Sequence, residues 1–324
     1  MDEAVTTSPR RIDAKYDQGE AYEISTVDGN IVAFVNRPKG ASRGNVVIVP
    51  PYAMSAHGYF LFQDYLTWNG FTVYRFDGIN NVGLSSGEVI NYTLGQAWRD
   101  LGYVIEAFFP TSSSDSLVLL SQSLSFPIAV RRARRDERVK AVVSLLGAVS
   151  VRDTVERVLK SSLEPYFSNL PDAAPRQRIF GHEVNAMQFV ASMIDEGYVD
   201  ANDVYADVNM LTQPLYLVSS EADEYVDFRD VLALRSDAEK NGAFVALADM
   251  GHMIGRSVES AKLLARLSVE LTLKAYGIAE QLESPILTES IERASYESAQ
   301  ITMLGKNRPS GAAWETGLSF ERGV

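Results

Sequence analysis

The chain of 324 residues contains no cysteine, which excludes disulfides, thiolate metal sites and a cysteine nucleophile together. Histidine is nearly as scarce. His57, His182 and His252 are the only three, so a reaction needing a base that titrates near neutrality has few candidates. A histidine-rich metal centre is therefore not expected, and His182-Glu183 lacks the second histidine of a zinc-protease helix. No run approaches the roughly 18 apolar residues of a membrane helix, and residues 1–11 lack the apolar stretch of a signal peptide. Basic charge is also short: 30 Lys and Arg against 42 Asp and Glu leave a net charge of −12. A nucleic-acid binder needs a basic face to displace counterions, and none dominates here. The expectation is a soluble, cytoplasmic protein with no nucleic-acid partner, no membrane span, no metal and no organic cofactor. Composition leaves the oligomeric state open.

What the chain does have is apolar residue, 46% of it, with 22% charged, enough to bury a sizeable core. Two short strand-like runs, Tyr22–Val27 and Ile31–Asn36, flank Asp28-Gly29, a hairpin turn signal. From residue 45 the runs become continuous and β-branched: Asn45–Val49, Thr72–Phe76, Leu117–Leu120, Ala141–Leu146, Leu215–Val218 and Phe244–Leu247. Continuous apolar strands suit a sheet buried on both faces. Helical spacing fills the gaps at Gly58–Trp68, Tyr92–Phe109, Leu124–Arg135, Phe228–Lys240 and Val258–Ala275. This alternation predicts an α/β fold with a mostly parallel, doubly wound sheet and an antiparallel edge. Residues 20–149 and 212–280 form the expected core. The stretch 150–211 breaks the alternation and reads as a helical lid, with Leu163, Tyr166, Phe180, Phe189 and Met193 among the residues available to line a channel. Residues 1–19 read as a loose leader and 281–324 as a polar tail with one helix-like piece.

The strand Leu117–Leu120 runs into Ser121-Gln-Ser123-Leu-Ser125 and then a helix. A serine at the apex of a strand–turn–helix is the architecture of a nucleophile elbow, G-x-S-x-G. Serine stands here where both glycines are usual, so the pentapeptide alone does not convince. Its context does. A serine hydroxyl needs an adjacent base, and the hydrolase order is nucleophile, acid, histidine. Asp223 follows the strand Leu215–Val218, and His252 follows Phe244–Leu247. The spacings of 100 and 29 residues leave room for a lid and for one helix and one strand. Ser123, Asp223 and His252 are thus the candidate triad, with Glu221 and Glu224 as solvated neighbours. The oxyanion of a tetrahedral intermediate needs N–H donors. Leu124 at the helix start supplies one. In the loop Pro50-Pro51-Tyr52-Ala53-Met54 the prolines have none, so Tyr52 is first, with Ala53 next. His57 and His182 read as surface histidines, and Arg131–Arg135 as cations suited to a helix C-terminus.

With these residues in place, the sequence resembles the LuxD-type acyl transferases, the myristoyl-carrier-protein thioesterases of bacterial bioluminescence. The resemblance rests on Tyr74–Gly87, on Ser121–Ser125, on Val151–Glu156 and on Phe180–Val184. It implies an α/β-hydrolase fold, the triad Ser123, Asp223 and His252, and acyl-enzyme formation from an acyl-carrier-protein or coenzyme A thioester, with release to water or another acceptor. Pro50-Pro51 departs from the small residue and glycine expected there, which leaves the acceptor open. A carboxylesterase acting on oxygen esters shares every catalytic part, and a ligand-binding protein that keeps the hydrolase fold is the alternative from outside enzymology.

Overall fold

A computed structural model describes residues 8–13, 19–110, 115–168, 174–254 and 257–278. The expected tail at 281–324 and the start of the leader lie outside the described residues. The part of the leader that is described is not loose: Arg10–Ile12 forms strand β1, antiparallel to β2 (Glu20–Ser25). β2 turns at Asp28-Gly29 into β3 (Asn30–Asn36). Then follow β4 (Asn45–Val49), a 3-10 turn at Ala56–Tyr59, α1 (Phe60–Trp68), β5 (Thr72–Asp77), α2 (Leu94–Phe108), β6 (Leu117–Gln122), α3 (Ser125–Ala133) and β7 (Val139–Leu145).

After β7 the chain leaves the sheet. It forms α4 (Val151–Leu159), α5 (Glu164–Phe167), the strands β8 (Arg176–Ile179) and β9 (His182–Asn185), α6 (Ala186–Glu196) and α7 (Ala201–Asn209). It returns through β10 (Leu215–Ser220), α8 (Phe228–Ala233), α9 (Arg235–Asn241), β11 (Ala243–Leu247) and α10 (Val258–Tyr276). The sheet order is β1-β2-β3-β5-β4-β6-β7-β10-β11. The six strands from β5 to β11 run parallel, and the first three form the antiparallel edge.

The β-branched runs form central strands because both faces of the sheet are covered. Successive side chains on a strand point to opposite faces. Val47 and Val49 of β4 enter the core shared with α2, α3 and the insertion, while Val46 and Ile48 enter the core shared with α1 and α10. β6 does the same, with Leu117 and Leu119 on one side and Val118 and Leu120 on the other. The insertion's Leu163, Tyr166, Phe189, Val190 and Met193 belong to the first core, so they bind the insertion to the sheet. Its β8–β9 hairpin, absent from the sequence reading, turns at Phe180-Gly181, both with positive φ (47° and 82°), as a tight two-residue hairpin demands. Among the described residues no helix is long and apolar enough to cross a membrane.

The arginines at the end of α3 do more than answer a helix dipole. Arg131 pairs with Asp207 of α7 at 2.7 Å, stacks on Tyr198 at 3.8 Å, and donates to the carbonyls of Glu196 and Gly197 where α6 ends. Arg134 reaches the same Asp207 at 2.7 Å, and Arg132 lies over Trp98. The guanidinium of Arg131 thus pins the far end of the insertion to the core. Without Arg131, Asp207 keeps Arg134 alone, and the Glu196 and Gly197 carbonyls and the Tyr198 face lose their cation. Arg131→Ala should lower stability by about 3 kcal/mol, read as a shift in urea midpoint. Arg131→Lys should recover less than half, because an ammonium cannot replace the planar fork.

Asp100 is a second buried anchor. It is fully buried on α2, accepts from the Ile79 N–H at 2.7 Å and from the Gln96 amide at 2.8 Å, and so ties the segment after β5 to the helix. Burial pushes its pKa up to about 7, against the hydrogen bonds from Gln96 and Ile79. An acid raised on folding stays protonated in the native state while the unfolded chain ionises. Its contribution to stability therefore falls as pH rises from about 4 to about 7. Asp100→Asn removes that dependence. The melting temperature of the variant, relative to wild type, should rise between pH 4.5 and pH 7.5. A difference that is flat or falls with pH would contradict the assignment.

Candidate active site

Four strand ends meet at one edge of the sheet, where ligands bind in open α/β folds. β4 leads to Tyr52, β6 to Ser123, β10 to Asp223 and β11 to His252. Ser123 sits at φ 52°, a left-handed conformation that a non-glycine residue adopts only under constraint. The constraint is visible. The Ser123 carbonyl accepts from the N–H groups of Phe126 and Ala148, at 3.1 and 3.0 Å. The Ser125 hydroxyl accepts from the Gln122 N–H at 2.9 Å and donates to the Gln122 carbonyl at 2.8 Å. Serine at 125 is thus a buried stitch across the turn, and the hydroxyl that breaks the usual glycine pattern is satisfied by the turn's own backbone. Ser121 is equally buried, with its hydroxyl directed at the Val143 carbonyl.

The three expected side chains form one hydrogen-bonded chain. Ser123 Oγ lies 2.9 Å from His252 Nε2, and His252 Nδ1 lies 2.8 Å from Asp223 Oδ2. The imidazole and the carboxylate are almost fully buried (5% and 2% exposed), so the polar contacts are sheltered from competing water. Asp223 Oδ1 accepts from the N–H groups of Tyr225 and Val226, both at 2.9 Å, which fixes the carboxylate's rotation. The His252 loop is held from the same side: Ser220 Oγ accepts from the Met250 N–H, and Glu224 Oε2 accepts from the His252 N–H at 2.8 Å. Glu224 is the exposed loop acid that the sequence suggests, and it also holds the His252 backbone. Gly251 allows the approach, since a Cβ there would lie 3.1 Å from Glu224 Oε2. Tyr225 packs edge-on to the His252 ring at 5.4 Å, and Phe180 at the β8–β9 turn packs on Tyr225 at 5.7 Å. Neither aromatic contact was readable beforehand, because each joins separate elements.

The oxyanion candidates divide. The N–H groups of Tyr52 and Leu124 donate to no other group among the described residues. The Ala53 N–H, the alternative in that loop, is taken by Asn81 Oδ1 at 3.0 Å. Leu124 starts α3, where N–H groups point outward unpaired.

The two remaining histidines are not at the surface. His57 is fully buried, edge-on to Phe34 and Phe60 at 4.9 and 5.2 Å. His182 is buried in β9, and burial lowers its pKa. Phe34, distant in sequence, is part of what draws the His57 ring inside. Among the described residues no group of three or more His, Asp or Glu side chains is placed to hold a metal ion.

A parallel sheet with an antiparallel edge, a strained serine turn and a serine–histidine–aspartate chain at the strand ends define an α/β-hydrolase-fold enzyme of the serine-hydrolase type. Solved structures carry the same fold: the esterase Est1E of Butyrivibrio proteoclasticus bound to ferulic acid aligns with a TM-score of 0.61 at 18% identity, covering 77% of this chain and 96% of that one. The monoacylglycerol lipase of Paleococcus ferrophilus aligns at 0.56, also at 18% identity, over 75% of this chain and 99% of its own. The family is narrower. A family model described as acyl transferase matches residues 30–284, and the chain belongs to that LuxD-type family. It is 25% identical over 273 residues to the acyl transferase of Photobacterium leiognathi, covering 83% of this chain and 84% of the relative. With the acyl transferase of Photorhabdus luminescens it shares 27% identity over 225 residues, 69% of this chain and 71% of the relative.

Proposed function

We propose that this acyl transferase takes a fatty acyl group from a carrier-protein or coenzyme A thioester onto Ser123 and passes it to water or another hydroxyl acceptor. The observation that carries the reading is the Ser123–His252–Asp223 hydrogen-bond chain in a member of the acyl transferase family. Ser123 Oγ attacks the thioester carbonyl while His252 Nε2 takes its proton. Asp223 stabilises the imidazolium and holds the ring. The carbonyl oxygen becomes an oxyanion on the N–H groups of Tyr52 and Leu124. It then collapses, the carbon–sulfur bond breaks, and the thiolate leaves with the proton from His252. In the second half His252 takes a proton from the acceptor, the acceptor oxygen attacks the acyl-serine carbonyl, and Ser123 recovers its proton. The insertion acts as a lid over this edge, and Phe180 on Tyr225 closes the histidine side. Acyl thioesters are made inside cells, so we place the reaction in the cytoplasm.

Matched thioester and p-nitrophenyl ester substrates of graded acyl length separate this reading from its competitors. The proposal expects a higher kcat/KM for the thioester at the preferred length. A clear preference for the oxygen ester would mark a carboxylesterase. Binding of acyl ligands without turnover of either would mark a binding protein.

A further inference from the structure

The loop that carries Tyr52 is held from outside the triad. Asn81 is buried (2% exposed) in the segment that follows β5. Its Nδ2 donates to the Pro51 carbonyl at 2.9 Å, and its Oδ1 accepts from the Ala53 N–H at 3.0 Å. Oδ1 also accepts from the Val82 N–H at 2.9 Å. These partners set the orientation of the amide, with N–H donors on its oxygen and a carbonyl on its nitrogen. One side chain therefore clasps the residues on both sides of Tyr52.

The geometry of the peptide bond gives that clasp its meaning. The Pro51 carbonyl and the Tyr52 N–H belong to the same planar unit, and in a trans peptide they point in opposite directions. Pulling the Pro51 oxygen onto Asn81 turns the Tyr52 N–H the other way. Pro50 and Pro51 have no N–H to pin, and Ala53 is held at φ 60°, a conformation that costs energy without the bond to Asn81. A neighbouring support acts further along: Asp77 accepts from the Ala56 N–H and the Leu84 N–H, both at 2.7 Å, and so fixes the segment of Asn81 to the far end of the loop.

We infer that Asn81 is a positioning residue for the oxyanion hole: it sets the rotation of the Pro51–Tyr52 peptide so that the Tyr52 N–H faces the developing oxyanion. The inference rests on the proposed acyl transfer at Ser123. Asn81→Asp is the sharpest variant. It keeps the shape and both acceptor bonds but replaces the donor to Pro51 with a carboxylate oxygen. Repulsion between the two oxygens then favours the flipped peptide, with the Tyr52 N–H turned onto residue 81. Asn81→Ser removes the clasp without adding charge.

The test compares two inhibitors on wild type and both variants. An acyl trifluoromethyl ketone forms a tetrahedral adduct with Ser123 and needs the oxyanion hole; a non-reactive acyl thioether of the same length does not. Loss of one oxyanion donor costs about 10²–10³-fold. Asn81→Asp should lose about that much in kcat and in ketone affinity, with thioether affinity held within about twofold. Equal weakening of both ligands, or no change in either, would overturn the inference. If a variant does not fold, the crystal structure of the wild-type ketone adduct decides. The inference requires the oxyanion within hydrogen-bond distance of the Tyr52 N–H while Asn81 still holds Pro51. An oxyanion bound by a different donor would overturn it. A wild type that forms no adduct at Ser123 would instead refute the acyl-transfer reading beneath it.

Discussion

Replacing Ser123 with alanine should lower kcat by about 10⁶-fold, the scale seen when the nucleophile of a serine triad is removed. The hydroxyl accounts for the loss because the rest of the site keeps its supports. Ser123 is held by its own carbonyl, through Phe126 and Ala148, and the turn is stitched by Ser125. None of these bonds involves Ser123 Oγ. The variant should therefore melt near the wild-type temperature and bind acyl ligands as before. Single-turnover kinetics with a thioester, alongside a thermal melt, separate the two effects. A well-folded variant retaining more than a hundredth of the wild-type rate would remove Ser123 from the reaction.

Asp223→Asn should cost about 10⁴-fold in kcat, and the surroundings of the carboxylate explain why a single amide is so damaging. Two N–H groups, of Tyr225 and Val226, converge on Oδ1. In the variant the amide oxygen must stay there, so the NH₂ is turned toward His252 Nδ1. That nitrogen must then offer its lone pair, which moves the ring proton to Nε2. A protonated, neutral Nε2 cannot accept the proton of Ser123, 2.9 Å away. Nitrogen-15 spectra of His252 should show the tautomer reversed. Activity within tenfold of wild type, or an unchanged tautomer, would contradict this role.

The sheet was legible where local pattern and burial agree. Asn45–Val49 is a strand at the residues expected, because five residues bordered by Gly44 and Pro50 have no room to be anything else. The placement of Ser123, Asp223 and His252 was legible for a related reason: each follows a strand end, and strand ends are marked by where apolar runs stop. The helix expected over Phe228–Lys240 is two helices joined at Leu234, a break that no glycine or proline announces. β8 and β9 were missed because Arg176-Gln-Arg and His182-Glu carry little apolar alternation. Gly181 was the available clue to their turn. Asn81 lies within the stretch Tyr74–Gly87 that resembles the family, yet its role was hidden. Its partners in the Tyr52 loop are backbone atoms some thirty positions away, and backbone contacts leave no mark on composition or spacing. His57 misled because only the folded chain brings Phe34 to its ring.

The most direct measurement is intact mass spectrometry of the protein after brief exposure to acyl thioesters of graded length, followed by peptide mapping. Acylation at Ser123 predicts a mass gain equal to one acyl group, located on the peptide containing residue 123 and absent from Ser123→Ala. A gain that persists in Ser123→Ala, or one mapped to another residue, would contradict it.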